Sequence, residues 1–277
     1  MAVLIGLLVA ASFGSGDFLG GLASRQGNML RVLLIAQVTG LIAAVVVAVS
    51  VGDPISANAM ALGAGAGLLN VTGLGCLYQG LAIGQIGQVA PVAAVIGAII
   101  PVTWGLATGE RPSSLALVGA SLAIVAAAVI CMERTEKPGL GARRALPLAV
   151  IAGSGFGTAF VLLAYASRHP GFWPVVSARS AAVIAVGGAV VILAPPRLPS
   201  LRPRRIALVA GLLDACGTAL LLVAIRTGLA AVVAPVANLT PAFTVMLAWW
   251  VLRERATRTQ IAGLAVGLVG LVLIAVG

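Results

Sequence analysis

Charge is what this chain has least of. Asp, Glu, Lys and Arg make up 9% of its 277 residues and apolar residues 61%, whereas a soluble domain carries roughly a quarter charged residues. Such a chain cannot cover a surface facing water, and a soluble globular fold is excluded. Histidine occurs once, as His169 in a loop, which excludes zinc chemistry of the HExxH kind. The three cysteines, Cys76, Cys131 and Cys216, lie in or at the ends of apolar runs. Their spacing fits neither a metal site nor a disulfide framework, and they read as core residues. Ser15 and Ser154 are flanked by glycine, but Phe13 and Ala152 hold the first glycine position of the G-x-S-x-G elbow. No pair of nearby carboxylates suggests an aspartyl site, and no Walker-type glycine-rich loop offers ATP as the direct energy source. The chain does not read as an enzyme, and nothing in it implies a cofactor or a metal.

What is present is hydrophobic length. Stretches of about twenty apolar residues, each able to cross a roughly 30 Å hydrocarbon core, recur from end to end. Cutting at Arg, Pro and Gly clusters gives ten spans, 2–22, 30–51, 58–82, 86–108, 113–132, 146–166, 173–194, 206–225, 230–252 and 257–276. The first lacks a charged leader and is followed at once by similar segments, so it reads as a retained helix. The fold class expected is therefore all-α and integral to a membrane, with no soluble domain.

The net charge of +10 does not indicate nucleic acid, because the basic residues sit in short loops between spans. Loops after spans one, five, seven and nine hold thirteen Lys and Arg; the opposite loops hold three, Arg111, Arg168 and Arg226. The positive-inside rule places the thirteen in the cytoplasm and both termini outside.

The pentapeptide VAPVA occurs at 89–93 and again at 233–237, 144 residues apart. The same offset carries Asn70 onto Asp214, Gly73 onto Gly217, Gly84 onto Gly228, Glu110–Arg111 onto Glu254–Arg255 and Gly119 onto Gly263. Nearer the N-terminus it slips by one, Phe13–Gly14 falling on Phe156–Gly157. This is internal duplication. The halves are 1–132 and 146–277, joined by the polar segment 133–145. Five spans per half force the second half into the membrane upside down. Inverted repeats of this kind belong to alternating-access carriers, whose site lies near the midplane between the halves. Pro91 and Pro235, early in the fourth and ninth spans, each remove a backbone donor and leave carbonyls near Gly87 and Ala231 unpaired. They mark either helix breaks beside a cavity or tolerated first-turn positions.

Two five-helix repeats, proline early in the fourth helix of each, "GE" or "RE" ending it, and the glycine-rich fifth helices LALVGASLAIV and IAGLAVGLVG resemble the EamA family of the drug/metabolite transporter superfamily. The opening SFGSGDFLGGLASR is similar to first helices of bacterial members. The resemblance covers nearly the whole chain. It implies a ten-helix carrier of small metabolites in the bacterial cytoplasmic membrane, often an exporter of amino acids or related compounds. It also implies a cytoplasmic N-terminus, against the loop charges.

Charges inside spans cost at least ~2.5 kcal/mol each at the bilayer centre and are usually functional. Asp214 lies about 12 Å into its span at 1.5 Å per residue, and its repeat mate Asn70 lies at the same depth in the other half. The two either line one site or bond helix to helix. Arg179 is placed to pair with Asp214 or Asp17, to grip a substrate carboxylate, or to snorkel. Asp17, without a polar mate, is in reach of Arg25 or Arg31. An unpaired Asp214 would take up and release a proton; a paired one would form a gate with Arg179. On the spans that the family uses for its cavity stand Ser12, Ser15, Tyr78, Gln79, Gln88, Thr103, Trp104, Ser154, Thr158, Thr218, Asn238, Thr240 and Thr244. Asn238, four residues after the start of the second "AP", is the best placed of these, because a side-chain amide can serve both exposed backbone and a ligand. Glu110 and Glu254 read as residues locking their own loops, Trp173, Trp249 and Trp250 as interfacial anchors, and Gly263 with Gly267 as a close helix contact. The function expected is secondary-active export of a small metabolite, coupled to protons or to exchange; a channel or a scaffold is the alternative. The partners are a small-molecule substrate and the lipid bilayer, and a homodimer stays open.

Overall fold

The computed structural model describes residues 1–24, 26–52, 54–83, 86–131, 140–193, 199–252 and 257–277. Within these, the side chains of 78, 80–83, 86–91, 131 and 140–144 are outside the description. The described residues fold into helices alone: α1 (Ala2–Ser24), α2 (Met29–Val51), α3 (Ala57–Ile83), α4 (Ile86–Ala107), α5 (Ser114–Cys131), α6 (Leu140–Ala166), α7 (Trp173–Leu193), α8 (Leu201–Thr227), α9 (Ala230–Ala237), α10 (Thr240–Leu252) and α11 (Arg258–Val276). Eight spans are long and apolar enough to cross a membrane, α9 and α10 together forming one of them, and two shorter apolar helices lie in α4 and α5. Ten crossings result, the ninth broken. Helices suit this setting because each satisfies its own backbone where no water is present.

The repeat is visible in where helices begin. α2, α3, α4 and α5 start at 29, 57, 86 and 114, and α7, α8, α9 and α11 start at 173, 201, 230 and 258. Each start recurs 144 residues on. Packing follows the same rule: α1 lies on α8 as α6 lies on α3, α2 on α8 as α7 on α3, and α1 on α9 and α10 as α6 on α4. α2 meets its own counterpart α7, and α5 meets α11, as a pseudo-two-fold requires for elements astride its axis. A methyl at Gly119 would stand 2.6 Å from the Gly270 carbonyl oxygen and 2.8 Å from Ile274 N, while one at Gly263 would stand 3.2 Å from Ala126 O and 3.0 Å from Ile130 N. Ala126 and Ile130 lie 144 residues before Gly270 and Ile274, so these are one contact made twice. Phe13 packs on Gly217 and Phe156 on Gly73, another such pair. Gly263 and Gly267 both seat against α5. Because each half has an odd number of crossings, α1 and α6 run in opposite directions.

The two ends of the bundle differ. On the face where α1 begins, one apolar cluster joins six helices across the centre. It contains Val9 of α1, Ala44 and Ala48 of α2, Phe160 and Leu163 of α6, Val175 of α7, Leu222 of α8 and Val233 of α9. On the opposite face, where α1 ends, the described apolar contacts fall into three smaller clusters. Ala23, Val32 and Ala207 hold α1, α2 and α8 together, and Ala145, Ala149, Leu77 and Val92 hold α6, α3 and α4. The six-helix cluster plugs the N-terminal face; toward the basic face a third cluster, Val71, Val186 and Val190 with Leu30, Leu33 and Leu34, joins α3 and α7 to α2.

Candidate functional site

Asp214 is the middle residue of α8 and Asn70 the middle residue of α3. On α8 the positions around Asp214 pack on neighbours to either side, Gly211 on Ala36 of α2 and Gly217 on Phe13 of α1. Asp214 thus faces between α1 and α2, into the bundle. On α3, Gly63 and Gly67 pack on α7 and Gly73 on α6, and Asn70 projects between those contacts. It is nonetheless exposed, so it borders an opening inside the bundle.

Arg179 of α7 reaches the same level and is 4% exposed. Its guanidinium donates through Nη1 to the Asp214 carboxylate and to Gln37 Oε1 of α2 at 2.9 Å, and through Nη2 to the Asp214 carbonyl at 2.9 Å and to Thr218 Oγ1. Thr218 also donates to the Asp214 carbonyl at 2.9 Å. A guanidinium in apolar surroundings needs a counter-charge and acceptors for its fork, and α2, α7 and α8 supply them together. Its Nε is the one buried side-chain atom without a hydrogen bond among the described residues. The Asp214 side chain keeps 32% of its surface exposed. The pair is closed on the arginine side and open on the carboxylate side.

Asp17 lies on the stripe of α1 that runs through Gly6, Ala10 and Phe13. Gly6 packs on Val236 and Phe13 on Gly217, and Ala10 joins the cluster around Leu239. The stripe faces inward, yet Asp17 is exposed and near enough to Asp214 for the two carboxylates to repel. Among the described residues the one salt bridge is Arg179–Asp214. The cleft therefore carries a neutralised pair and, beside it, an exposed carboxylate. Arg25, one of the partners expected for Asp17, lies outside the described residues.

The broken ninth span borders the same space. α9 contains Pro235, which leaves the Ala231 carbonyl without its intrahelical donor. The helix ends two residues later, and Asn238 Nδ2 folds back to the Ala234 carbonyl at 3.0 Å. Pro241 then removes the donor for the Ala237 carbonyl, which Thr240 Oγ1 serves instead at 2.9 Å. Thr240 is thereby occupied with the break. Asn238 keeps its Oδ1 beside Gly97 of α4, where an added Cβ would lie 3.9 Å away. α4 runs unbroken past Pro91, whose side chain is outside the description, as are those of Tyr78 and Gln88.

Other expected residues stand elsewhere. Gln79 shares its side of α3 with the exposed Leu68, opposite the α6 and α7 contacts, and faces outward. Ser154 and Thr158 share the outer side of α6 with the exposed Ile151. Thr103, Thr158 and Ile100 border a shallow lateral groove of about 390 Å³ between α4 and α6. Trp104 packs on the plug and donates through Nε1 to Tyr165 Oη at 3.2 Å. The sequence reading missed Gln37, Tyr165 and Pro241. Gln37 is a buried amide in the apolar middle of its helix, and that was its available signal. Glu110 does not lock its own loop; it bonds the start of α9 in the other half. Glu254 lies outside the described residues.

No curated protein matches this sequence. A solved crystal structure of a protein superposes with a TM-score of 0.83 at 14% identity, over 99% of this chain and 96% of that one. At that identity the likeness establishes the ten-helix fold alone. The model of the EamA-like transporter family matches residues 143–276, the whole second half. Members of that family are transporters rather than enzymes. Over its second half, this multi-pass membrane protein is similar to the EamA-like transporter family, part of the drug/metabolite transporter superfamily.

Proposed function

We propose that the protein is a secondary-active exporter of a small, amine-bearing metabolite such as an amino acid, working by alternating access in a bacterial cytoplasmic membrane. The observation that carries this reading is the unequal packing of the two ends of the inverted halves. Six helices meet in the plug at the N-terminal face, while the described apolar contacts toward the basic face divide among three smaller clusters. Inverted repeats exchange such arrangements, closing one side as the other opens. With thirteen Lys and Arg on the face opposite the plug, the positive-inside rule makes that face cytoplasmic, where an exporter collects its load.

The charges of the cleft favour an amine. Arg179 is buried and bound to Asp214, which leaves no free cation there for a substrate carboxylate or phosphate among the described residues. The exposed charge is Asp17, with the amides of Asn70 and Asn238 as neutral partners. A substrate ammonium and a proton would compete for the Asp17 carboxylate, which is the basis of exchange. The Arg179–Asp214 pair then acts as a gate element that ties α2, α7 and α8 together.

Comparing metabolites released by cells with and without the protein tests the proposal. Enrichment of one or a few amines in the medium of expressing cells is the outcome expected. Identical profiles, with the protein shown to be in the membrane, would count against export.

A further inference from the structure

Glu110 stands in the connection from α4 to α5, at the N-terminal face. Its carboxylate leaves its own half and accepts from the first two residues of α9, Oε1 from Ala230 N at 2.9 Å and Oε2 from Ala231 N at 2.8 Å. Space is made by Gly105, where a Cβ would lie 2.5 Å from Glu110 Oε2 and 3.2 Å from Ala231 N.

The first N–H groups of a helix have no partner within it, and its N-terminus carries a partial positive charge. At α9 the N-cap position is Leu229, which offers no side-chain acceptor. A helix of eight residues interrupted by Pro235 is too short to hold its place alone. The first half of the chain therefore supplies the cap that the second half lacks. Ala230, Val233, Ala234 and Ala237 of this helix belong to the plug. The helix that shuts the N-terminal face is thus held by a carboxylate from the opposite repeat.

We infer that Glu110 is a positioning residue of the transport cycle: it latches α9 while the N-terminal face is closed and lets it go when that face opens. The inference rests on the carrier reading above. An acceptor that spans the two repeats is made or broken when they rock against each other, whereas a bond within one repeat moves with it.

The test replaces the native thiols (Cys76→Ala, Cys131→Ala, Cys216→Ala) and introduces one reporter, Val233→Cys, at a fully buried plug position. A membrane-impermeant maleimide is applied from the N-terminal face of cells or oriented vesicles. Slow labelling is expected with Glu110 in place. Glu110→Ala removes two charge-assisted bonds and should speed labelling by about tenfold or more. Glu110→Gln keeps the shape and one acceptor, and should fall between. Labelling as slow in both variants as in the parent would overturn the latch. So would a loss of folded protein on size exclusion with unchanged labelling of what remains, which marks a mere brace. If Glu110→Ala does not reach the membrane, Glu110→Gln decides by the same outcomes. Counterflow measured on the parent separates the two ideas: no counterflow sinks the carrier reading, whereas counterflow with unaltered labelling sinks the latch alone.

Discussion

Asp214→Asn isolates a buried charge and measures what the Arg179 cluster is worth. The substitution keeps the shape of the side chain and leaves the guanidinium its neutral acceptors, Gln37 Oε1, the residue-214 carbonyl and Thr218 Oγ1. The counter-charge is lost. Removing one partner of a buried pair costs about 3–5 kcal/mol. Arg179 is 5% exposed and Asp214 32% by side chain, so water relieves part of the cost and the lower end, about 3 kcal/mol, is expected. At roughly 2–4 °C per kcal/mol for chains near this size, the apparent melting temperature falls by about 6–12 °C. Tryptophan fluorescence of the detergent-solubilised protein during heating reads this out. Arg179→Gln combined with Asp214→Asn removes both charges and should recover most of the loss, because well-packed neutral groups replace such pairs at little cost. A single variant that melts within about 2 °C of the parent, or a double variant as unstable as the single, would refute the view that the two charges hold each other.

Asp17→Asn should leave the melting temperature within error, since the side chain is exposed, yet abolish transport driven by a pH gradient while downhill exchange persists. Retained uphill transport would remove Asp17 from coupling. Gly119→Val places side-chain carbon where Gly270 O and Ile274 N stand within 3 Å, and overpacking of that kind costs about 1–3 kcal/mol. Gly263→Val meets Ala126 and Ile130 in the mirrored contact and should destabilise similarly in the same melting assay. A periplasm-active reporter fused after Gly277 should be active and a cytoplasm-active one silent. The reverse pattern would place the N-terminus in the cytoplasm, as the family resemblance implies, and turn the plug toward the cytoplasm.

The architecture was legible because it is written in hydrophobic length and repetition, which survive without coordinates. The 144-residue offset that aligns Asn70 with Asp214 also aligns the starts of four helix pairs. Which way a side chain faces was not legible. A helix apolar on every side carries no polar phase to read. Gln79, nine residues beyond Asn70, thus faces outward, and Ser154 and Thr158 do the same on α6. Gln37 escaped because its repeat position, 181, is alanine, so duplication could not point to it. The Glu110 contact spans 120 residues to Ala230, and no local pattern announces it. Pro235 signalled a break, but Pro241 six residues later completes it, with Thr240 covering the carbonyl that Pro241 orphans.

Counterflow in proteoliposomes tests the carrier account most directly. Vesicles holding purified protein are loaded with an unlabelled amine taken from the export comparison, and a trace of the labelled amine is added outside. A carrier whose cleft serves one face at a time predicts transient accumulation of label above equilibrium, saturable with internal amine. Flux that rises linearly with concentration and never overshoots would mean a pore, and the alternating cleft would be wrong.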